Sequence, residues 1–143
     1  MITLPVTLTI AGACALLSIW LARRVGTVRG SAKVSIGDGG DPALLARMRA
    51  HANFAEYAPF VLILLGLVEL ARGTHLWLWI VGVAFVFARI AHAFGMDGQP
   101  RNMLRASGMI VTALVLVGLG LYAIFIPYLG IEPPTDLYAA SPG

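Results

Sequence analysis

The chain has 143 residues, of which 59% are hydrophobic and only 12% charged, and its formal net charge is +3. Soluble domains carry about 25% charged side chains, and a chain this short cannot build a water-soluble core that hides so much apolar surface. The composition excludes an ordinary soluble domain, and the basic residues sit at the ends of apolar runs, which excludes a nucleic-acid stripe.

Met1 to Ala22 contains no charged side chain. Roughly 20 such residues span a bilayer. Arg23 and Arg24 follow the run, whereas a signal peptide places its positive charges before it. The pattern predicts an uncleaved first transmembrane helix over about 2–25, with its N-terminus outside. VGTVRGSAKVSIGDGGDP then reads as a loop, rich in glycine and aspartate. Asp41 and Pro42 give a helix-start signal, a capping aspartate followed by proline at the first helical position. The second helix is expected over about 43–71, and Arg72-Gly73-Thr74 turns the chain. A third helix follows over about 75–95, with His75, Trp77 and Trp79 as an outer interfacial belt. MDGQP is a tight loop, and Pro100 opens a fourth helix over about 100–128. Pro133-Pro134 ends the order and leaves 132–143 as a loose tail. The single cysteine, Cys14, allows no internal disulfide, and three scattered histidines give no metal-ligand spacing.

These spans define an all-α integral membrane protein, a four-transmembrane-helix bundle in one domain, because helices satisfy their own backbone in lipid. Of the 10 lysines and arginines, only Arg72 marks the second loop; the others lie in or beside the first and third. The positive-inside rule then places the first and third loops in the cytoplasm and both termini outside, in a multi-pass protein of the cell (inner) membrane.

The second helix carries RMRAHANFAEYAP, Arg47 to Pro59, into an apolar run. At ~100° per residue, Arg49, Asn53, Glu56 and Phe60 share a stripe, and His51 points the other way. A lone charge in the bilayer costs at least ~2.5 kcal/mol, so Glu56 must face protein, partner or ligand. Pro59 removes a backbone donor and is expected to kink the helix. Arg89, His92 and Met96 share a face of the third helix. Arg101, Arg105, Gly108 and Thr112 share a face of the fourth, where Gly108 leaves room. The loop count puts all three stripes at the cytoplasmic side. Several guanidiniums around one carboxylate would repel one another, and an anionic ligand with two carboxylates and an ammonium would relieve this. Blander readings stand beside each of these. Arg23, Arg24, Arg29 and Lys33 read as topology charges, with Arg24 the best exception. Arg49 and Glu56 can form a structural network between helices, His51 a packing contact and His92 a hydrogen bond to Arg89. Arg101 and Arg105 can snorkel to head groups. Cys14 reads as a small core or lipid-facing residue. No phosphate-binding glycine loop or Ser-His-Asp set is present.

R-x-H-x-N-x-x-E-x-x-P, formed by Arg49, His51, Asn53, Glu56 and Pro59, resembles the signature of the MAPEG family, membrane-associated proteins in eicosanoid and glutathione metabolism. RIAHAFG, Arg89 to Gly95, resembles that family's third-helix motif, and Arg101 with Arg105 resembles the start of its fourth helix. The resemblance covers about Leu4 to Tyr128, and the short SIGDGGD loop looks like the bacterial branch. It implies a homotrimer of four-helix subunits, surrounded by lipid, with glutathione as co-substrate in a cleft between neighbours. Arg49, Asn53, Glu56, Arg89 and His92 would hold the tripeptide, with Arg101 and Arg24 as further binding positions. Arg105 matches the arginine that stabilises the thiolate, and no metal or nucleic acid is implied. The second substrate would be an apolar electrophile or lipid hydroperoxide from the bilayer, making the protein a glutathione transferase or peroxidase. Where the family often has tyrosines beside the thiol, this chain has Met96 and Met109. That departure motivates a second expectation: a non-catalytic membrane protein that binds a thiol or anionic lipid, or a trimeric scaffold. A small cation exporter is disfavoured by the clustered arginines.

Overall fold

The computed structural model describes residues 4–97 and 102–129. Within them the elements are helical: α1 (Pro5–Ala32), α2 (Pro42–Arg72), α3 (Leu76–Met96) and α4 (Met103–Phe125), with a final 3-10 turn at Ile126–Tyr128. All four helices are long and apolar enough to cross a membrane. The expected tail at 132–143, Pro100 and Arg101 lie outside the described residues.

Each helix has a physical start and stop. Pro5 opens α1 without a side-chain cap from its own N-terminal neighbour. Its first turn is satisfied from elsewhere. Glu69, in the last turn of α2 and 1% exposed, takes the Val6 N–H on Oε1 at 3.0 Å and the Thr7 N–H on Oε2 at 2.8 Å. The Thr7 hydroxyl donates to Oε2 at 2.7 Å and the Thr74 hydroxyl to Oε1 at 2.9 Å. Proline has no N–H and Leu8 bonds the Leu4 carbonyl at 2.9 Å, so the otherwise orphaned donors of this turn all have partners. The carboxylate also sits at the positive end of the α1 dipole.

α1 runs to Ala32, about two turns beyond the expected end. Gly26 and Gly30 fit inside it, and the helix closes only where Lys33 adopts φ 54°. Arg29 in its last turn donates to the carbonyls of Ser35 at 3.2 Å and Gly37 at 3.0 Å, folding the short loop back on the helix end. Asp41 caps α2, accepting from the Ala43 and Leu44 N–H groups at 2.8 and 3.1 Å. The helix continues unbroken through Pro59 and ends at Gly73, φ 79°. Asn102 caps α4 by accepting from the Leu104 N–H at 2.9 Å.

The core is a column of α1 and α2 side chains, including Val6, Ile10, Leu21, Phe54, Val61 and Leu65, closed by Leu78 and Phe85 of α3. Leu16, Phe87 and Leu114 project outward with more than half their surface accessible, as lipid-facing residues do. α3 and α4 approach until backbones touch. A Cβ on Gly108 would lie 2.5 Å from the Ala88 carbonyl oxygen and 2.7 Å from the His92 Cβ, and one on Gly95 would lie 2.7 Å from the Arg105 Cα. No larger residue fits these two positions without moving the helices apart.

Candidate functional site

The polar stripe on α2 faces a cleft of about 350 Å³ where α2, α3 and α4 meet. Arg49, Ala52, Asn53 and Glu56 line it from α2, at the i, i+3, i+4 and i+7 positions that share one helix face. His92 and Met96 line it from α3, and Arg105 and Met109 from α4. Both pairs are four residues apart, so each helix contributes one stripe. A cleft of this volume falls in the range of small-molecule sites, about 300–1,000 Å³.

Among the described residues the charges on this cleft are unpaired. Among the described residues, the ion pairs are Arg24–Asp97 and Arg47–Asp97. Arg49, Glu56 and Arg105 take part in neither, and their side chains make no hydrogen bond among the described residues. Two guanidiniums and one carboxylate therefore converge on one space with no ion-pair partner among the described residues. Arg49 and Glu56 form no ion pair with each other.

Arg89 does not line the cleft. It is 1% exposed, behind the Asn53 wall, and donates from Nη2 to Asn53 Oδ1 at 2.6 Å and from Nη1 to Thr112 Oγ1 at 3.3 Å. The Thr112 hydroxyl in turn donates to the Gly108 carbonyl at 2.7 Å. Among the described residues the Arg89 Nε has no hydrogen-bond partner, and the Tyr57 ring lies 6.0 Å from its guanidinium. A guanidinium can only donate, so it binds the Asn53 oxygen and leaves the Asn53 Nδ2–H donors for the cleft. His92 is not the partner of Arg89; its Nδ1 lies 3.3 Å from the Arg105 carbonyl oxygen, which ties α3 to α4.

Arg24 lies on the other side of α3. It pairs with Asp97, donates from Nη1 to the Ala93 carbonyl at 3.2 Å, and covers the Trp20 ring at 4.7 Å from its centroid. Arg47 donates to Asp97 at 3.4 Å and to the Arg24 carbonyl at 3.2 Å. Asp97 thus joins α1, α2 and the end of α3, a role the sequence reading missed. So was that of Glu69, although an acid in the last turn of a helix opposes that helix's own dipole and signals a partner elsewhere. His51 is half-buried and outside the cleft, Pro59 lines a separate apolar groove beside Cys14 and Ala58, and Arg101 lies outside the described residues. Among the described residues no cluster of histidine, cysteine, aspartate and glutamate is arranged to hold a metal ion.

The model of the MAPEG family matches residues 7–125. The chain belongs to the MAPEG family. No curated protein matches it. As a MAPEG protein it is a multi-pass membrane four-helix bundle, and the family's functions are in general of the membrane glutathione-related transferase, peroxidase or allied type. The cleft of this MAPEG chain carries the Arg49–Asn53–Glu56 stripe and Arg105, and the match spans all of them.

Proposed function

We propose that the protein is a membrane-embedded glutathione transferase or peroxidase, assembled as a homotrimer, with the first and third loops in the cytoplasm. The observation that carries this reading is the convergence of Arg49, Glu56 and Arg105, without ion-pair partners among the described residues, on one cleft of fitting volume. Glutathione is a zwitterion with two carboxylates, one ammonium and a thiol. Glu56 would receive its ammonium, and Arg49, with Arg101 at the mouth of the fourth helix, its carboxylates. Asn53 would donate its amide, held in register by Arg89 from behind. Arg24, engaged by Asp97, contributes by fixing the helices of its own chain. Arg105 is the thiolate partner.

Only a thiolate attacks, and a free thiol has a pKa of about 8.5. Bringing it to about 6.5 corresponds to roughly 2.7 kcal/mol. A guanidinium placed against sulfur supplies an effect of that size. The electrophile, an apolar molecule or lipid hydroperoxide, would arrive from the bilayer. The test is titration of the purified protein with glutathione, followed by ultraviolet thiolate absorbance. Bound glutathione should be substantially ionised at pH 7; binding with no thiolate above the solution level rules out the catalytic role.

A second reading draws on Met96 and Met109. They flank the site and offer no hydroxyl donor to sulfur, which fits a binder of a thiol or anionic lipid, or a trimeric scaffold, that performs no conjugation. Stoichiometric glutathione binding without turnover of aryl halides, enones or hydroperoxides would favour it.

A further inference from the structure

His92 is 4% exposed, yet it lines the cleft. Its Nδ1 lies 3.3 Å from the backbone carbonyl of Arg105, the residue that carries the cleft's α4 guanidinium. A carbonyl oxygen only accepts, so Nδ1 carries the proton, and in the neutral ring Nε2 holds the lone pair. Nε2 has no hydrogen-bond partner among the described residues, and it is not a buried unpartnered atom. Its remaining accessible surface therefore faces the cleft. The ring cannot turn over without losing the bond to α4, and the His92 Cβ packs beside Gly108.

Resting on the glutathione reading above, we propose that His92 Nε2 is the general base that takes the thiol proton, while Arg105 stabilises the resulting thiolate. The backbone carbonyl of the stabilising residue thus orients the base, so one residue of α4 sets both parts. The S–H bond breaks, its electron pair stays on sulfur, and the proton passes to Nε2. With an aryl chloride, sulfur bonds to the ring carbon, chloride leaves with the C–Cl pair, and the proton goes from Nε2 to water. With an α,β-unsaturated ketone, sulfur bonds to the β-carbon and the Nε2 proton returns to the α-carbon. The charged groups on the cleft side of the ring are Arg49 and Glu56 on α2 and Arg105 on α4; Arg89 of its own helix and Arg24 of α1, bound to the adjoining Ala93 carbonyl, lie away from the cleft. Glu56 is the one anion among the described residues that line the cleft.

His92→Asn isolates the base. The asparagine Nδ2 occupies the place of Nδ1 and still donates to the Arg105 carbonyl, but no basic nitrogen remains. The variant, at saturating glutathione, should form the bound thiolate more slowly near pH 6, followed by stopped-flow ultraviolet absorbance. Turnover of an aryl chloride should fall by on the order of 10²-fold, the low end for loss of a general base. The deficit should be largest near pH 6 and shrink as pH rises past about 6.5, where the thiol beside Arg105 ionises without a base. His92→Gln, which also lacks a basic nitrogen, should show the same pH-dependent deficit if His92→Asn does not assemble. Parent-like turnover and pH profile in these variants, or a deficit equal at every pH, overturns the proposal. A parent protein that neither binds nor conjugates glutathione overturns the reading beneath it, and this proposal with it.

Discussion

Glu69→Gln is the sharpest test of what holds the fold together. In the native chain Oε1 receives the Val6 N–H and the Thr74 hydroxyl, while Oε2 receives the Thr7 N–H and hydroxyl. Glutamine converts one of these oxygens into an NH2 group. The threonine hydroxyls can rotate to accept from it, but a backbone N–H cannot. Whichever way the amide turns, one N–H of the first α1 turn, Val6 or Thr7, loses its acceptor in a buried place. An unsatisfied buried donor costs roughly 1–3 kcal/mol, and the surviving bonds lose the charge assistance that makes them about twice as strong as neutral ones. Loss of the negative charge at the α1 N-terminus adds about 0.3–1 kcal/mol. The expected destabilisation is ~2–4 kcal/mol, measured as unfolding free energy in detergent, with faster amide exchange at Val6 or Thr7. Thr7→Val, which removes one hydroxyl bond and keeps the N–H bond, should cost about 1 kcal/mol. A Glu69→Gln protein within ~0.5 kcal/mol of the parent, with unchanged exchange at both amides, refutes the capping argument.

Gly108→Ala places a methyl 2.5 Å from the Ala88 carbonyl oxygen and should destabilise by roughly 1–3 kcal/mol and weaken glutathione binding, whereas Gly118→Ala, with open space around it, should leave both unchanged. Arg105→Ala should lower turnover about 100-fold, the equivalent of the roughly 2.7 kcal/mol assigned to thiolate stabilisation, with glutathione affinity nearly retained; equal losses in both would make Arg105 a binding residue only. Glu56→Gln should weaken glutathione binding by about 1.5–3 kcal/mol, read by calorimetry, because a charged hydrogen bond to the ammonium is lost. A glutathione analogue lacking the amino group should bind parent and Glu56→Gln alike.

The four spans were legible because each is a long apolar run, and Asp41-Pro42 marked the start of α2 through its capping chemistry. Periodicity also brought Arg49, Asn53 and Glu56 to one face, since residues i, i+4 and i+7 of a helix must share it. It could not say which side of α3 points inward. Arg89 and His92 belong to one stripe, yet Arg89 is behind the wall and His92 in the cleft. That depends on Thr112 and Asn53 approaching from two other helices. Gly26 and Gly30 read as loop residues, but both have open space around them and α1 runs on through them to Ala32. The partners of Arg24 and Glu69 are 73 and 62 or 63 residues away in the chain, and no local pattern encodes them.

Backbone contact at Gly95 and Gly108 makes α3 and α4 a single slab. The cleft can therefore change width only by α2 swinging against that slab, and the bond from Arg89 to Asn53 spans the gap like a latch. A guest that pulls on Asn53 would tug on the same guanidinium that grips Thr112, so tightening around a ligand would be registered deep between the helices.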